Sequence, residues 1–304
     1  MRRRSYVSLG NQLFEVVDDW LDRGVDALMG RVAGLAERDG IIYVLQCGTP
    51  SLLALHTDGT LARCFPTVDV IDGHGIAIDD DGSIWIADRD AHAVYGYTAE
   101  GELFFQLGSS RTPYPHGPLS HPTLAVKVGS HVLVADGYAE SRVSVFDLNG
   151  RLAHSWGEPG RGRGQFRTPH SLCVTHSGHV AVADRDNDRV QVFTETGTLL
   201  AVWDDFLRPM DLAEDAAGFL YVTEQVPRLS KWAPDGSLVG RCRIPSTSSH
   251  GLCLDGEGNI YLAEMLQSNV TRLVALSDVD DSDAAAHGQV SVEVHRPSAP
   301  AGGA

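Results

Sequence analysis

The chain has 304 residues, 43% hydrophobic and 21% charged, a composition that excludes a wholly disordered, collagen-like or coiled-coil protein. Its 40 acidic residues outnumber 24 lysines and arginines, and the formal net charge of −16 argues against a nucleic acid partner, since phosphate backbones repel such a chain. No stretch approaches about 18 consecutive apolar residues, so the sequence predicts no membrane-spanning segment and no membrane partner.

Two features indicate the compartment. The N-terminus, MRRRSYVSLG, is basic but has no apolar region behind it, unlike a secretory signal. The chain has five cysteines and no CxxC pair, which disfavours a disulfide framework. Together these features predict a cytoplasmic protein in a reducing environment.

Internal repeats dominate the chain. Three similar segments lie at 84–108, 132–157 and 180–203. Each has an apolar strand ending in Ala-Asp, a few polar residues, a second alternating strand, a glycine turn and a third strand. The repeat places Asp88, Asp136 and Asp184 48 residues apart. Weaker copies lie at 42–65, 220–242 and 260–276.

Each copy is preceded by another short apolar strand, which makes six units of about four strands with hairpin turns between them. Regular repetition of this kind predicts an all-β fold, a six-bladed β-propeller within residues 1–276. The last unit lacks an outer strand, and 13–17 is expected to supply it and close the ring. The tail, 277–304, is acidic, then rich in Ala, Gly and Pro, and is predicted to be largely disordered. The predicted blades span about 31–65, 74–108, 122–157, 170–203, 209–242 and 250–276.

Histidine opens the second, fourth and sixth units, at His74, His170 and His250. The first strand of every propeller blade lines the central channel, and alternate blades of six are about 120° apart. Three imidazoles at one level can therefore converge on one point. Three nitrogen ligands with open positions are typical of catalytic zinc, although other divalent transition metals also suit imidazole. The sequence therefore predicts zinc, or another divalent transition metal, in the channel.

The units resemble NHL repeats through the runs ADRDNDRVQVF and ADGYAESRVSVF and the linker GxGQFxxP. Over roughly residues 13–276 the pattern resembles one family in particular, the peptidyl-α-hydroxyglycine α-amidating lyase domain, which is a six-bladed propeller with a zinc site. The resemblance implies that His74 in HGIAID, His170 in PHSL and His250 are the zinc ligands. It also implies catalytic roles for two further residues. These are Tyr138, in the DGYAESR motif, and Arg185, in the ADRD motif.

The resemblance implies a metal-dependent lyase acting on a small-molecule or peptide-like substrate. A bound zinc ion activates a substrate hydroxyl as a Lewis acid, and a nearby dication favours the phenolate form of Tyr138 as general base. Arg185 would hold a substrate carboxylate or carbonyl oxygen. Collapse of the alkoxide at a hemiaminal- or carbinolamide-like carbon then breaks the carbon–nitrogen bond and gives an amide and a carbonyl product.

The sequence departs from the family pattern at two places that bear on function. An arginine that the family has in its first blade falls at Cys47, which favours a substrate other than a peptidyl α-hydroxyglycine. Arg89, in the second unit, occupies the position equivalent to Arg185 of the fourth unit and is expected to replace the missing cation. Cys47, Arg89 and Arg185 are therefore the predicted substrate-binding residues. The aspartate that contacts a structural calcium in the family is Gly251 here, so no structural calcium is expected.

Three alternatives stay open at this point, together with the oligomeric state. The same three histidines could serve another metal-dependent lyase or hydrolase. The chain could also be a non-catalytic NHL scaffold for protein partners, although such a scaffold has no need of channel histidines. A calcium-dependent lactonase-like or strictosidine-synthase-like propeller is disfavoured by the His-rich channel. The metal content of the purified protein separates these alternatives.

Overall fold

The computed structural model describes residues 4–66, 68, 70–109, 112–113, 115–245 and 249–276. This part of the chain is almost entirely β-strand, arranged as six antiparallel sheets. The first strands of neighbouring sheets contact one another in a closed ring. The prediction of a six-bladed β-propeller is thus confirmed. The tail predicted to be disordered, 277–304, lies outside the described residues.

Five of the blades have four strands, each joined to the next in chain order from the channel outward. The chain begins with β1 (Ser5–Leu9), β2 (Gln12–Val17) and a four-residue helix, α1 (Arg23–Asp26). Blade 1 consists of β3 (Arg31–Arg38), β4 (Ile41–Cys47), β5 (Leu52–His56) and β6 (Leu61–Cys64). Blade 2 consists of β7 (Gly73–Ile78), β8 (Ile84–Asp88), β9 (Ala93–Tyr97) and β10 (Leu103–Gly108). Blade 3 consists of β11 (Leu124–Val128), β12 (His131–Asp136), β13 (Arg142–Asp147) and β14 (Leu152–Trp156). Blade 4 consists of β15 (Pro169–Val174), β16 (His179–Asp184), β17 (Arg189–Thr194) and β18 (Leu199–Trp203), with a 3₁₀ turn at Arg185–Asn187. Blade 5 consists of β19 (Pro209–Glu214), β20 (Leu220–Glu224), β21 (Arg228–Trp232) and β22 (Leu238–Arg243).

The sixth blade combines strands from near the N-terminus with the last three strands that the structure describes. Its inner strands are β23 (Ser249–Leu254), β24 (Ile260–Glu264) and β25 (Asn269–Ala275). The N-terminal β2 pairs antiparallel with β25, as predicted, with Phe14 opposite Ala275. β1 then adds a fifth strand outside β2, which was not predicted from the sequence. This pairing closes the ring by joining N-terminal strands to the sheet of the last blade.

The core lies between neighbouring blades. The second strands β8, β12, β16, β20 and β24 are covered on both faces, which is why they read as continuous apolar runs. At the junction of blades 6 and 1, Trp20 packs edge-on against Tyr261 with ring centroids 5.1 Å apart. Within the described residues, no helix has the length and hydropathy needed to cross a membrane.

In blades 2 to 6 a buried carboxylate ends the second strand, and in blades 2 and 4 it fixes the loop that enters the same blade. Asp88 accepts hydrogen bonds from the backbone N–H groups of Ile71 (2.6 Å), Asp72 (3.0 Å) and Ala91 (3.1 Å). Asp184 accepts one from the N–H of Arg167 at 2.7 Å. These carboxylates therefore position the residues that begin the inner strands, where the histidines lie.

Replacing Asp88 by alanine is expected to lower the free energy of unfolding by on the order of 3 kcal/mol, because three N–H groups around a fully buried carboxylate lose their acceptor. The melting temperature should fall by roughly 10 °C. Asp80→Ala is the matched control, since the Asp80 side chain is fully exposed and pairs with Arg38 at the surface. Equal melting temperatures for the two variants in a thermal scan would contradict this role of Asp88.

Candidate metal centre

The three channel histidines are the bulged residues of their strands. In blades 2, 4 and 6 the pairing between first and second strands skips one residue or more at His74, His170 and His250. A β-bulge leaves a residue out of the ladder and re-aims its side chain. Blades 1 and 5 have the same irregularity, at Ala33 and Met210. The bulge is thus a repeat feature, and the alternation of histidine with other residues decides which blades contribute an imidazole.

The structure brings the three predicted ligands together. Their ring centroids are 4.7 Å apart for His74 and His170, 4.7 Å for His74 and His250, and 4.9 Å for His170 and His250. One nitrogen from each ring lies within 4.8 Å of the others. Among the described residues, these three histidines form the one group of at least three His, Cys, Asp or Glu side chains whose ligand atoms lie close enough to share a metal ion.

Each imidazole is oriented by a backbone carbonyl from the next blade. His74 Nδ1 donates to Thr123 O at 2.9 Å and His170 Nδ1 to Met210 O at 2.7 Å. His250 Nδ1 donates to Ala33 O at 2.6 Å. Because a carbonyl oxygen only accepts, the proton resides on Nδ1 and the lone pair of each ring on Nε2. This outer hydrogen bond is the support that metal-binding histidines ordinarily have.

The three imidazoles are neutral. All are buried, with 7%, 2% and 6% of His74, His170 and His250 exposed. Burial, the largest cause in each case, lowers the pKa of His74 and His170 well below its usual range and that of His250 to about 4. Three neutral rings with fixed Nδ1–H tautomers and converging lone pairs fit a divalent transition metal.

Tyr138 lies against two of the histidines. Its hydroxyl is 3.1 Å from His74 Nε2 and 3.1 Å from His170 Nε2, and Arg185 Nη1 donates to it at 3.2 Å. A Cβ on Gly137 would lie 2.3 Å from Pro169 O, so glycine at this position allows the Tyr138 loop to approach the start of blade 4. The DGY motif thus places a phenol beside the imidazoles.

A cavity of about 240 Å³ opens above the histidines. The predicted residues Arg89, Tyr138 and Arg185 line it, with His74 and His250 at its floor. Below the rings the channel narrows to about 20 Å³, room for about one water molecule. The upper cavity is therefore the wider of the two spaces beside the histidines, and its size suits a small molecule or the end of a longer one.

Arg31 also lines this cavity, although the sequence did not predict it as a site residue. It is the first residue of β3, and its Nη2 donates to Cys47 Sγ at 3.0 Å and to Asp72 Oδ1 at 2.7 Å. Arg31 and Asp72 line the cavity, so blade 1 does provide a cation there despite the cysteine at position 47. The available signal was strand pairing, since Arg31 lies directly opposite Cys47 in the β3–β4 register.

Cys47 contacts two residues that line the cavity, Arg31 and Asp72. Its Sγ accepts from Arg31 and donates to Asp72 Oδ1 at 3.2 Å. Burial raises the pKa of its thiol, which favours a packed, protonated cysteine. Gln225, Met210 and Met265 also line the cavity and were not singled out from the sequence.

Comparison with known proteins places the chain among NHL repeat proteins. A family model described as NHL repeat matches residues 166–193, in blade 4. A streptogramin B lyase structure shares the fold, with a TM-score of 0.65 at 13% identity, covering 89% of this chain and all of that one. At such low identity the likeness concerns the fold alone.

Several curated relatives are amidating enzymes. Peptidyl-glycine α-amidating monooxygenase B of Xenopus laevis is 39% identical over 134 residues, which cover 40% of this chain and 15% of that protein. A probable peptidyl-α-hydroxyglycine α-amidating lyase of Caenorhabditis elegans is 35% identical over 131 residues, or 40% of this chain and 36% of that protein. The matched region thus spans only a small part of the longer amidating monooxygenase.

A third relative matches over most of its length. NHL repeat-containing protein 3 of Homo sapiens is 30% identical over 274 residues, which cover 79% of this chain and 77% of that protein. These matches confirm the resemblance to NHL repeats and to amidating lyase domains. The chain belongs to the NHL repeat-containing protein family.

Proposed function

We propose that this propeller is a metal-dependent lyase that cleaves the carbon–nitrogen bond of a hydroxylated, carbinolamide-like carbon. The observation that carries the proposal is the geometry of the channel: three buried, neutral imidazoles with fixed tautomers beside a phenol and a guanidinium. The partial similarity to amidating lyases supports the same reaction class. The products would be an amide and a carbonyl compound.

The Nε2 atoms of His74, His170 and His250 would hold a divalent transition metal, with zinc the best match to three imidazoles. When bound, such an ion supplies Lewis acidity toward a substrate hydroxyl or carbonyl oxygen. The described residues bring no other group of three or more His, Cys, Asp or Glu side chains within metal-binding distance, and none of this set offers a carboxylate for calcium.

Tyr138 would move the proton. Its hydroxyl oxygen lies 3.1 Å from the Nε2 atoms of His74 and His170 and accepts an N–H from Arg185 at 3.2 Å. In its phenolate form Tyr138 would take the proton of the substrate hydroxyl as the carbon–oxygen double bond forms and the carbon–nitrogen bond breaks. The phenol then returns this proton to the departing nitrogen, so that the reaction neither consumes water nor transfers electrons.

Arg185 would hold the substrate. Its Nη2 has no partner among the described residues, while Nε pairs with Asp186 Oδ1 at 3.1 Å and Nη1 contacts Tyr138. The anchored guanidinium can therefore bind a substrate carboxylate without losing its orientation. This contact would fix the reacting carbon next to Tyr138.

The direct test is glyoxylate release from N-acyl-α-hydroxyglycines. Purified protein reconstituted with zinc is expected to release glyoxylate and the corresponding amide in equal amounts, well above the rate of spontaneous decay. Protein stripped of metal by a chelator and tested in parallel should lose this activity, which readdition of zinc restores. Carbonyl release at the spontaneous rate by the reconstituted protein would contradict the lyase proposal.

A second candidate, a non-catalytic scaffold for protein partners, is favoured by one observation. The longest curated match above is to a protein named only for its NHL repeats. A scaffold, however, gives no reason for three tautomer-fixed imidazoles below a cavity lined by arginines. Stoichiometric metal without turnover of any hydroxylated amide would favour another metal-dependent lyase or hydrolase on the same channel, and absence of both would favour the scaffold.

A further inference from the structure

The cavity wall is positively charged although the chain is acidic. Of the described residues that line it, three are arginines, Arg31 from blade 1, Arg89 from blade 2 and Arg185 from blade 4, and one is a carboxylate, Asp72. The whole chain carries 40 acidic and 24 basic residues. Positive charge is thus concentrated where a substrate would lie, which favours an anionic ligand.

On the side of blades 1 and 2, one carboxylate bridges two guanidiniums. Asp72 Oδ1 is 2.7 Å from Arg31 Nη2, and Asp72 Oδ2 is 2.5 Å from Arg89 Nη2. Arg89 Nε also pairs with Asp90, a half-exposed residue, at 3.0 Å. Nη1 of Arg31 and Nη1 of Arg89 have no partner among the described residues. Both guanidiniums are therefore held in place with an N–H group still available.

On the side of blade 4, a second carboxylate bridges another pair. Asp186 Oδ1 is 3.1 Å from Arg185 Nε and 2.7 Å from Arg208 Nη2. The carbon at the centre of the Arg185 guanidinium lies 5.2 Å from the ring centroid of Tyr138, and that of Arg89 lies 5.5 Å from the same centroid. Both anchored guanidiniums therefore lie against the ring of Tyr138.

From this arrangement we infer that the substrate carries two carboxylates. One, on the reacting carbon, binds Arg185, and the other, at the far end of a short acyl group, binds Arg31 and Arg89. This inference rests on the proposed lyase function and names its substrate class, an N-acyl-α-hydroxyglycine whose acyl group ends in a carboxylate. Anchored guanidiniums bind carboxylates through charge-assisted hydrogen bonds with little further ordering.

The reaction on such a substrate is balanced. The hydroxyl proton passes to Tyr138 and on to the amide nitrogen, the carbon–nitrogen bond breaks and the carbon–oxygen double bond forms. A dicarboxylate hydroxy-amide thus yields glyoxylate and a carboxylate-bearing primary amide, with no oxidant, reductant or water required. The cavity of about 240 Å³ suits an acyl group of only a few carbons.

Two substrates of equal length test the inference. N-succinyl-α-hydroxyglycine and N-butanoyl-α-hydroxyglycine differ only in the terminal carboxylate, and kcat/KM is expected to favour the succinyl compound by about 10- to 100-fold. Arg89→Gln and Arg31→Gln should each reduce this preference toward one, and Arg89→Lys should retain part of it. Arg38→Gln, which removes an exposed ion pair with Asp80, is the control and should leave the preference unchanged.

Binding of unreactive analogues separates this inference from the lyase proposal. N-succinylglycine and N-butanoylglycine lack the hydroxyl. Calorimetry is expected to give the succinyl compound a Kd about 10- to 100-fold lower than that of the butanoyl compound. In Arg89→Gln this difference between the two Kd values should be lost. That result without turnover of either hydroxyglycine would overturn the lyase function and leave two-carboxylate binding in place. Equal Kd values, or a preference that survives in both glutamine variants, would overturn the inference whatever the turnover.

Discussion

Replacing His170 by alanine is expected to empty the metal site. The wild-type protein should hold about one transition metal ion per chain, and the variant close to none, because two imidazoles seldom hold such an ion tightly. His170 is also hydrogen-bonded to Met210 O, so its loss removes a ligand together with that ligand's link to blade 5. Elemental analysis of protein purified and dialysed under identical conditions measures the change.

The control for this variant is His176→Ala. His176 lies in the same blade, but its side chain is 68% exposed and pairs with Glu214 at the surface. This variant should keep the wild-type metal content. Unchanged metal in His170→Ala, with circular dichroism showing a folded protein, would remove His170 from the site and with it the three-histidine assignment.

Tyr138→Phe is expected to lower the turnover rate by about 10²- to 10⁴-fold, the usual contribution of a general acid–base group. The substitution keeps the aromatic ring between Arg89 and Arg185 and removes only the oxygen that contacts His74 and His170. Metal content and melting temperature should therefore stay close to the wild-type values. Steady-state kinetics on the best hydroxyglycine substrate, with both other measurements on the same preparation, test this prediction.

Tyr6→Phe provides the matched control, because Tyr6 is an exposed tyrosine of the outermost strand, remote in the sheet order from the channel. It should show wild-type turnover. Near-normal turnover of Tyr138→Phe combined with a lowered melting temperature would instead assign Tyr138 a packing role between blades. In that case the proton transfer proposed here would need a different residue.

The fold could be predicted because the repeat appears in local sequence. In blades 2 to 6 the second strand is buried on both faces and ends in a carboxylate, so the runs before Asp88, Asp136 and Asp184 are distinct. β1 could not be predicted in the same way. It is the outermost strand of a five-stranded sheet, two of its five residues are exposed, and its sequence SYVSL has no clear apolar alternation.

The histidines could also be predicted, because they recur at one position of alternate repeats. The orientation of their rings could not be predicted, because the acceptors are the backbone carbonyls of Ala33, Thr123 and Met210. Every residue type has such a carbonyl, so the sequence does not reveal which ones accept a hydrogen bond. Arg31 was not predicted as a site residue for a related reason. Comparison with the family pattern, position by position, places Cys47 where the family has an arginine, whereas the Arg31 guanidinium reaches the cavity from the neighbouring strand.

X-ray absorption at the edge of the bound metal reads the ligands of the three-histidine site. We expect a first coordination shell of three imidazole nitrogens at about 2.0–2.1 Å, with the remaining position or positions filled by oxygen. Cys47 Sγ should be absent from this shell because it is engaged by Arg31 and Asp72. A sulfur ligand at about 2.3 Å, or fewer than three imidazoles around a stoichiometric metal, would contradict the site described here.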